Sequence, residues 1–164
     1  MINLIKDNRL LIATGLLLLL ILGLGAYEYL STHSSGRIRL PLVKACKLNL
    51  QACSAELPTG GKVIFEITPK PPNPSEVLHL SATFHELNPQ SVRVAFEGRD
   101  MYMGYLEFDL VQQETIGDSI EFAADGGVFV CSYGVMPWVV LVNTQVDGRV
   151  YEMPFEFETV YNQP

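Results

Sequence analysis

Several side chains in this sequence combine soft-donor or redox chemistry with a spacing that brings them within reach of one another. Met101 and Met103, in Gly98-Arg99-Asp100-Met101-Tyr102-Met103-Gly104-Tyr105, lie two positions apart. On an extended chain both thioethers therefore project to the same side. Thioethers suit Cu(I) and poorly suit zinc or calcium, so the pair is a soft donor set that needs a third ligand. Met136 and Cys131 are the candidates for it. The plainer reading is packing. Methionines fill irregular gaps, and Cys131, in Val128-Phe129-Val130-Cys131, reads equally well as a small buried hydrophobe.

The other two cysteines, Cys46 and Cys53, are separated by Lys-Leu-Asn-Leu-Gln-Ala. Extended, their Cα atoms would stand about 23 Å apart, whereas a disulfide needs less than ~7 Å. A tight turn near Asn49-Leu50-Gln51 would close that distance. Cys131 could instead reach either partner across a sandwich, and one thiol is left over in every scheme. The pairing expected is Cys46 with Cys53, leaving Cys131 free. Of the histidines, His33 falls in a polar linker, and His79 and His85 would share one side of a strand about 20 Å apart, as separate solvated positions. There is no Gly-rich phosphate loop, His-Glu-x-x-His, Gly-x-Ser-x-Gly or Cys-x-x-Cys. No nucleophile and base can be paired, so an enzyme is not expected.

What must position these residues is a set of short strands. Lys62 to Thr68, Val77 to Phe84, Val92 to Phe96, Tyr105 to Val111, Ile120 to Phe122, Val128 to Cys131, Trp138 to Val146 and Val150 to Phe157 are β-branched and aromatic runs, mostly alternating. Pro154 marks the last one as an edge or a bulge. Turn residues separate the runs, and Asp147-Gly148 between two alternating segments specifies a hairpin. The pattern predicts an all-β fold, an immunoglobulin-like antiparallel β-sandwich preceded by one N-terminal transmembrane helix. An antiparallel barrel is the alternative.

The helix is read from Leu10 to Tyr27, which holds no charged residue and includes Leu16-Leu17-Leu18-Leu19-Leu20-Ile21-Leu22. At ~1.5 Å per residue it reaches about 27 Å, and continuing to Leu30 completes a bilayer crossing. Lys6 and Arg9 precede it and the aromatic pair Tyr27 and Tyr29 follows, as at a membrane interface. A cleaved signal peptide is the competing reading, with a weak site in Gly23-Leu24-Gly25-Ala26. The expected organisation is residues 1–9 cytoplasmic, 10–30 anchor, 31–36 linker, and 37–164 as a periplasmic β-sandwich at the bacterial inner membrane. The net charge is −7. Setting aside Lys6, Arg9 and Asp7, which together carry +1, leaves −8, a surface that does not seek nucleic acid or anionic lipid.

Taken together, Ile67-Thr68-Pro69-Lys70-Pro71 before a strand, Val92-Arg93-Val94-Ala95-Phe96 running into Asp100-Met101-Tyr102-Met103-Gly104, then Met136-Pro137-Trp138-Val139-Val140, and finally Asp147-Gly148 with its last strand resemble FixH-type accessory proteins of cytochrome oxidases and the similar YtkA-like domains. The resemblance implies a non-catalytic role in oxidase maturation, copper delivery included, with Cu(I) held by Met101 and Met103 helped by Cys131 or Met136. A second expectation needs no metal. A membrane-bound interaction subunit would use Met101, Tyr102, Met103 and Tyr105 as an apolar contact patch on a partner complex.

Overall fold

The computed structural model describes residues 12, 14–27, 36–113, 115, 117–130 and 134–160. Cys131, the charges Lys6 and Arg9, His33, Tyr29 and most of the expected linker lie outside the described residues. The chain divides into two units, one ending at Gly36 and the other beginning at Arg37. In the first, residues 12 and 14–27 are helical. Among the described residues no helix is long and apolar enough to cross a membrane. Residues 10, 11, 13 and 28–30 of the expected span are not among them.

The second unit is all β. Its strands are β1 (Arg37–Arg39), β2 (Cys53–Glu56), β3 (Lys62–Thr68), β4 (Leu78–His85), β5 (Ser91–Gly98), β6 (Leu106–Gln112), β7 (Ser119–Gly126), β8 (Val135–Val146) and β9 (Arg149–Val160). They form one sheet in the order β1-β9-β8-β5-β6-β7-β4-β3-β2, curled into a half-barrel. Strand β6 links the two halves: Leu106 to Leu110 pair with β5, and Val111 and Gln112 pair with β7. Alternation explains the curl. The inward residues Val92, Val94 and Phe96 of β5, Val140 and Val142 of β8, and Leu80, Ala82 and Phe84 of β4 are all buried, a face that must be covered. Phe65 on β3 stacks with Phe155 on β9 at 6.0 Å between ring centroids, although the two strands are six places apart in the strand order. The two halves of the sheet therefore cover each other.

The hairpin at Asp147-Gly148 has the geometry that its residues require. Val146 pairs with Arg149, and both turn residues have positive φ, 50° and 74°, the two-residue turn whose twist matches the flanking strands. Two expectations are corrected. Val128 to Val130 is irregular rather than a strand, following Gly126-Gly127, with Phe129 and Val130 exposed. Strands β1 and β2 were not anticipated, because three or four residues are too few for a periodic signal.

The two terminal strands of the sheet, β1 and β2, are consecutive in sequence, and the segment between them runs along the open side of β9. Strand β1 pairs in parallel with Val150 to Glu152, and the Leu40 amide donates to the Glu152 carbonyl at 2.8 Å. Farther on, Leu48 donates to the Glu156 carbonyl at 3.4 Å. Residues 152, 156 and 158 all turn their backbone groups to this side, so by the two-residue period Pro154 does too. Its missing N–H falls where no strand asks for it, as the edge reading anticipated. Cys46 and Cys53 are disulfide-bonded, with Cα atoms 5.7 Å apart, and the turn between them opens with Leu50 and Gln51 donating to the Lys47 carbonyl. The bond ties the segment along β9 to the start of β2.

Candidate functional site at the Met-rich end

Strand β5 ends at Gly98, opposite Trp138 of β8, and the chain then turns irregularly through residues 99–105 before β6. This loop lies at the end of the body formed by the start of β8 and the end of β9, where Val135 faces Val160 and Met136 faces Thr159. The Arg99 amide donates to the Pro137 carbonyl at 3.0 Å and secures the loop to β8. Beneath, Trp138 stacks on Phe157 at 6.3 Å and its Nε1 donates to Thr159 Oγ1 at 2.9 Å. A buried indole with its N–H satisfied is a firm floor.

Gly98 decides the arrangement of the sulfurs. A Cβ at that position would sit 2.4 Å from the Met101 carbonyl oxygen, 2.9 Å from Met136 Cε and 3.0 Å from Met103 Cγ. Only hydrogen fits there, and the space left free is where the two methionine side chains converge. Met136 is 3% exposed and Met103 is half-buried against the core, whereas Met101 is 44% exposed. Around them Tyr102 is 89% exposed and Tyr105, Phe129, Val135 and Val160 are exposed as well. Phe129 also borders the loop, its ring 3.4 Å from where a Gly104 Cβ would be.

The charge at this end is largely spent on itself. Arg99 grips Asp100 through two 3.1 Å bonds, Nε to Oδ1 and Nη2 to Oδ2. That grip holds the Asp100 carboxyl below the usual carboxylate range and raises the guanidinium. Among the described residues no group of three or more His, Cys, Asp or Glu could hold a metal ion. The chemistry on offer is thioether ligation by Met103 and Met136 with Met101 at the rim, or apolar contact through the exposed rings and branched chains.

No protein-family model, curated protein or solved structure matches this chain.

The other residues singled out in the sequence are dispersed. His79 Nδ1 lies 2.5 Å from Asp125 Oδ1 and His85 Nδ1 lies 2.8 Å from Ser119 Oγ. Both histidines are on β4 and each is matched to a residue of β7, as two separate polar positions. Sequence reasoning did not assemble Gly98, Phe129, Val135 and Val160 with the methionines. A glycine closing a strand just before Met-x-Met was the available signal for the first, since such a glycine marks close approach. Val135 and Val160 come together only through strand register, and Phe129 only through the approach of its irregular segment to Gly104.

Proposed function

We propose that this chain is a non-catalytic, membrane-anchored accessory protein of the bacterial envelope, acting by binding through its Met-rich end. The partner proposed is a membrane protein complex, a respiratory oxidase under the FixH-type resemblance. The observation that carries this reading is the group of exposed Met and aromatic side chains brought together by one loop, Tyr102, Tyr105 and Met101. Exposed aromatic and Met side chains in one contiguous area are what an interface uses. The uncharged run from Leu10 to Tyr27 supports residues 10–30 as the anchor. The Cys46–Cys53 bond supports a body outside the cytoplasm, because disulfides persist in oxidising compartments. Two facing half-sheets closed over one aromatic core support the sandwich description over a closed barrel.

The test is capture of the anchored protein under gentle solubilisation. A stoichiometric membrane partner is expected, and the double variant Met101→Ser, Tyr102→Ser loses it while still folding. Recovery of the bare protein alone sinks the interaction reading.

A second reading, Cu(I) handling by the same end, is favoured by one observation, the convergence of the Met103 and Met136 side chains beside Gly98. Competition with a chromophoric Cu(I) chelator should show binding tighter than micromolar in the intact protein, lost when Met101 and Met103 are both changed to Ser. No competition ends the copper role and leaves the docking role standing.

A further inference from the structure

The loop from Glu97 to Tyr105 encloses a concave space of about 480 Å³. Its lining holds the thioethers of Met101 and Met103, the rings of Tyr102 and Tyr105, and three charged groups, Glu97, Arg99 and Asp100. Arg99 and Asp100 are bonded to each other twice and add no net charge. Glu97 differs. It stands one residue before the end of β5, half-buried, and among the described residues no hydrogen bond or ion pair engages its carboxylate. The acidic side chains across from it on β6 are already matched. Glu107 accepts from the Tyr105 hydroxyl at 2.7 Å and faces Arg93 at 3.6 Å, and Asp109 accepts from Arg93 at 2.6 Å. The lining therefore sums to one negative charge, that of Glu97, beside two exposed aromatic rings.

This combination selects a cation with an apolar stem. A half-buried carboxylate with no donor retains part of its desolvation cost, which a donor brought by a partner removes. The face of a tyrosine ring attracts a cation through its quadrupole. Flexible thioethers adapt to the methylene chain that carries such a cation. One side chain meets all three. The planar guanidinium of arginine pairs with a carboxylate through two N–H groups and stacks on an aromatic ring as well. Lysine offers a compact, strongly hydrated point charge, and an anionic or purely apolar group leaves the Glu97 carboxylate unanswered. The space is within the range of small-ligand pockets, enough for one long side chain and part of its flanking residues. The chain as a whole acts in the same direction, since a net charge of −7 attracts a basic partner and repels an acidic one.

We propose that the partner of the Met-rich end inserts an arginine side chain into this loop, its guanidinium on the Glu97 carboxylate and against a tyrosine ring, its stem along Met101. The inference rests on the docking function proposed above and adds the chemistry of the partner, a basic residue set within an apolar segment.

The test uses the full chain in a zwitterionic detergent, with methyl-labelled methionines followed by NMR. It is titrated with acetyl-Leu-Arg-Leu-amide and, separately, with acetyl-Leu-Gln-Leu-amide. The arginine peptide should move the Met101 and Met103 methyl signals saturably and bind roughly fivefold tighter than the glutamine peptide at low salt. That advantage should shrink as salt is raised. Glu97→Gln, close in shape to the parent, should remove it. Tyr102→Leu, at a position 89% exposed and so away from the core, keeps the apolar area without the ring quadrupole and should reduce it too. Equal affinity for the two peptides overturns the proposal, as does an advantage that persists in full in Glu97→Gln, or no saturable shift with the arginine peptide. The outcome separates from that of partner capture. A stoichiometric membrane partner held equally by the parent and Glu97→Gln would keep the docking role and strike the arginine contact. An arginine preference that Glu97→Gln removes, with no partner captured, would keep the contact and strike the complex.

Discussion

Asn49 and Glu158, 109 residues apart in sequence, exchange two hydrogen bonds: Asn49 Nδ2 donates to the Glu158 carbonyl at 2.5 Å, and the Glu158 amide donates to Asn49 Oδ1 at 2.8 Å. A carboxamide here stands in for a peptide group and continues the cover of β9 beyond the point where backbone can provide it. Strand edges left open are templates for association, and this one is closed in turn by β1, by Leu40 and Leu48, and last by one side chain.

Replacing Asn49 by Ala should lower stability by about 1 kcal/mol, the usual net worth of such bonds near the surface. The more specific readout is hydrogen exchange. Glu158 should lose protection while the β5 and β8 amides of the core keep theirs. Asn49→Asp retains the acceptor but sets a carboxylate against the Glu158 carbonyl, so it should fall at or below the Ala variant. Unchanged exchange at Glu158 in both would show that the side-chain pair holds nothing.

The disulfide closes a loop of eight residues from Cys46 to Cys53, for which chain entropy gives about 2.5 kcal/mol of stabilisation. The double variant Cys46→Ser, Cys53→Ser, or the reduced protein, should unfold at lower denaturant by about that amount. Mass spectrometry of the unreduced protein after thiol blocking should find one labelled cysteine, Cys131. Three labelled cysteines would refute the bond and remove its support for an exported body.

Gly98→Ala should be costly for its size. The added methyl meets the Met101 carbonyl oxygen at 2.4 Å, a backbone atom that cannot rotate away, as well as both methionine side chains. A loss of about 1–3 kcal/mol in urea unfolding is expected. If the Met-rich end binds a partner or Cu(I), the same variant should weaken that binding, because relieving the clash displaces the loop. A protein as stable as the parent would mean that the loop does not lie against Gly98.

Tyr105 should titrate above the ordinary phenol range. Its hydrogen bond to Glu107 is the main cause, followed by partial burial and the nearby carboxylates of Glu107 and Glu97. Ionisation would set a phenolate against a carboxylate. With the folded value raised, the contribution to stability is complete below pH ~10 and is lost as the pH climbs through the folded value. In Glu107→Gln, phenolate absorbance equivalent to one tyrosine should move to lower pH. No movement would exclude the bond.

Much of this architecture is written locally. Strand β3 has the bounds that its apolar run predicts, and β4, β5 and β8 differ from theirs by a few residues, since alternation records which face is buried without reference to any partner. Asp147-Gly148 specifies its own turn, and Pro154 announces an open side to β9. The Cys46–Cys53 pairing was accessible too, because a sequence separation of 7 with a turn-forming centre lets local geometry bring two Cα atoms together.

What sequence could not supply is everything that depends on which strand lies beside which. That β6 passes from one half of the sheet to the other, that Asn49 completes the edge of β9, that Met103 and Met136 converge beside Gly98, and that Asn143 lies in a row with Arg93 and Glu152 are matters of register between strands far apart in the chain. Period-two patterning tells a residue which face to take but not which neighbour it will meet. The sequence by itself therefore determined the strands, the turns and the covalent clasp. Only the tertiary structure decided the neighbours, because cross-strand contacts are chosen by the packing of one shared core.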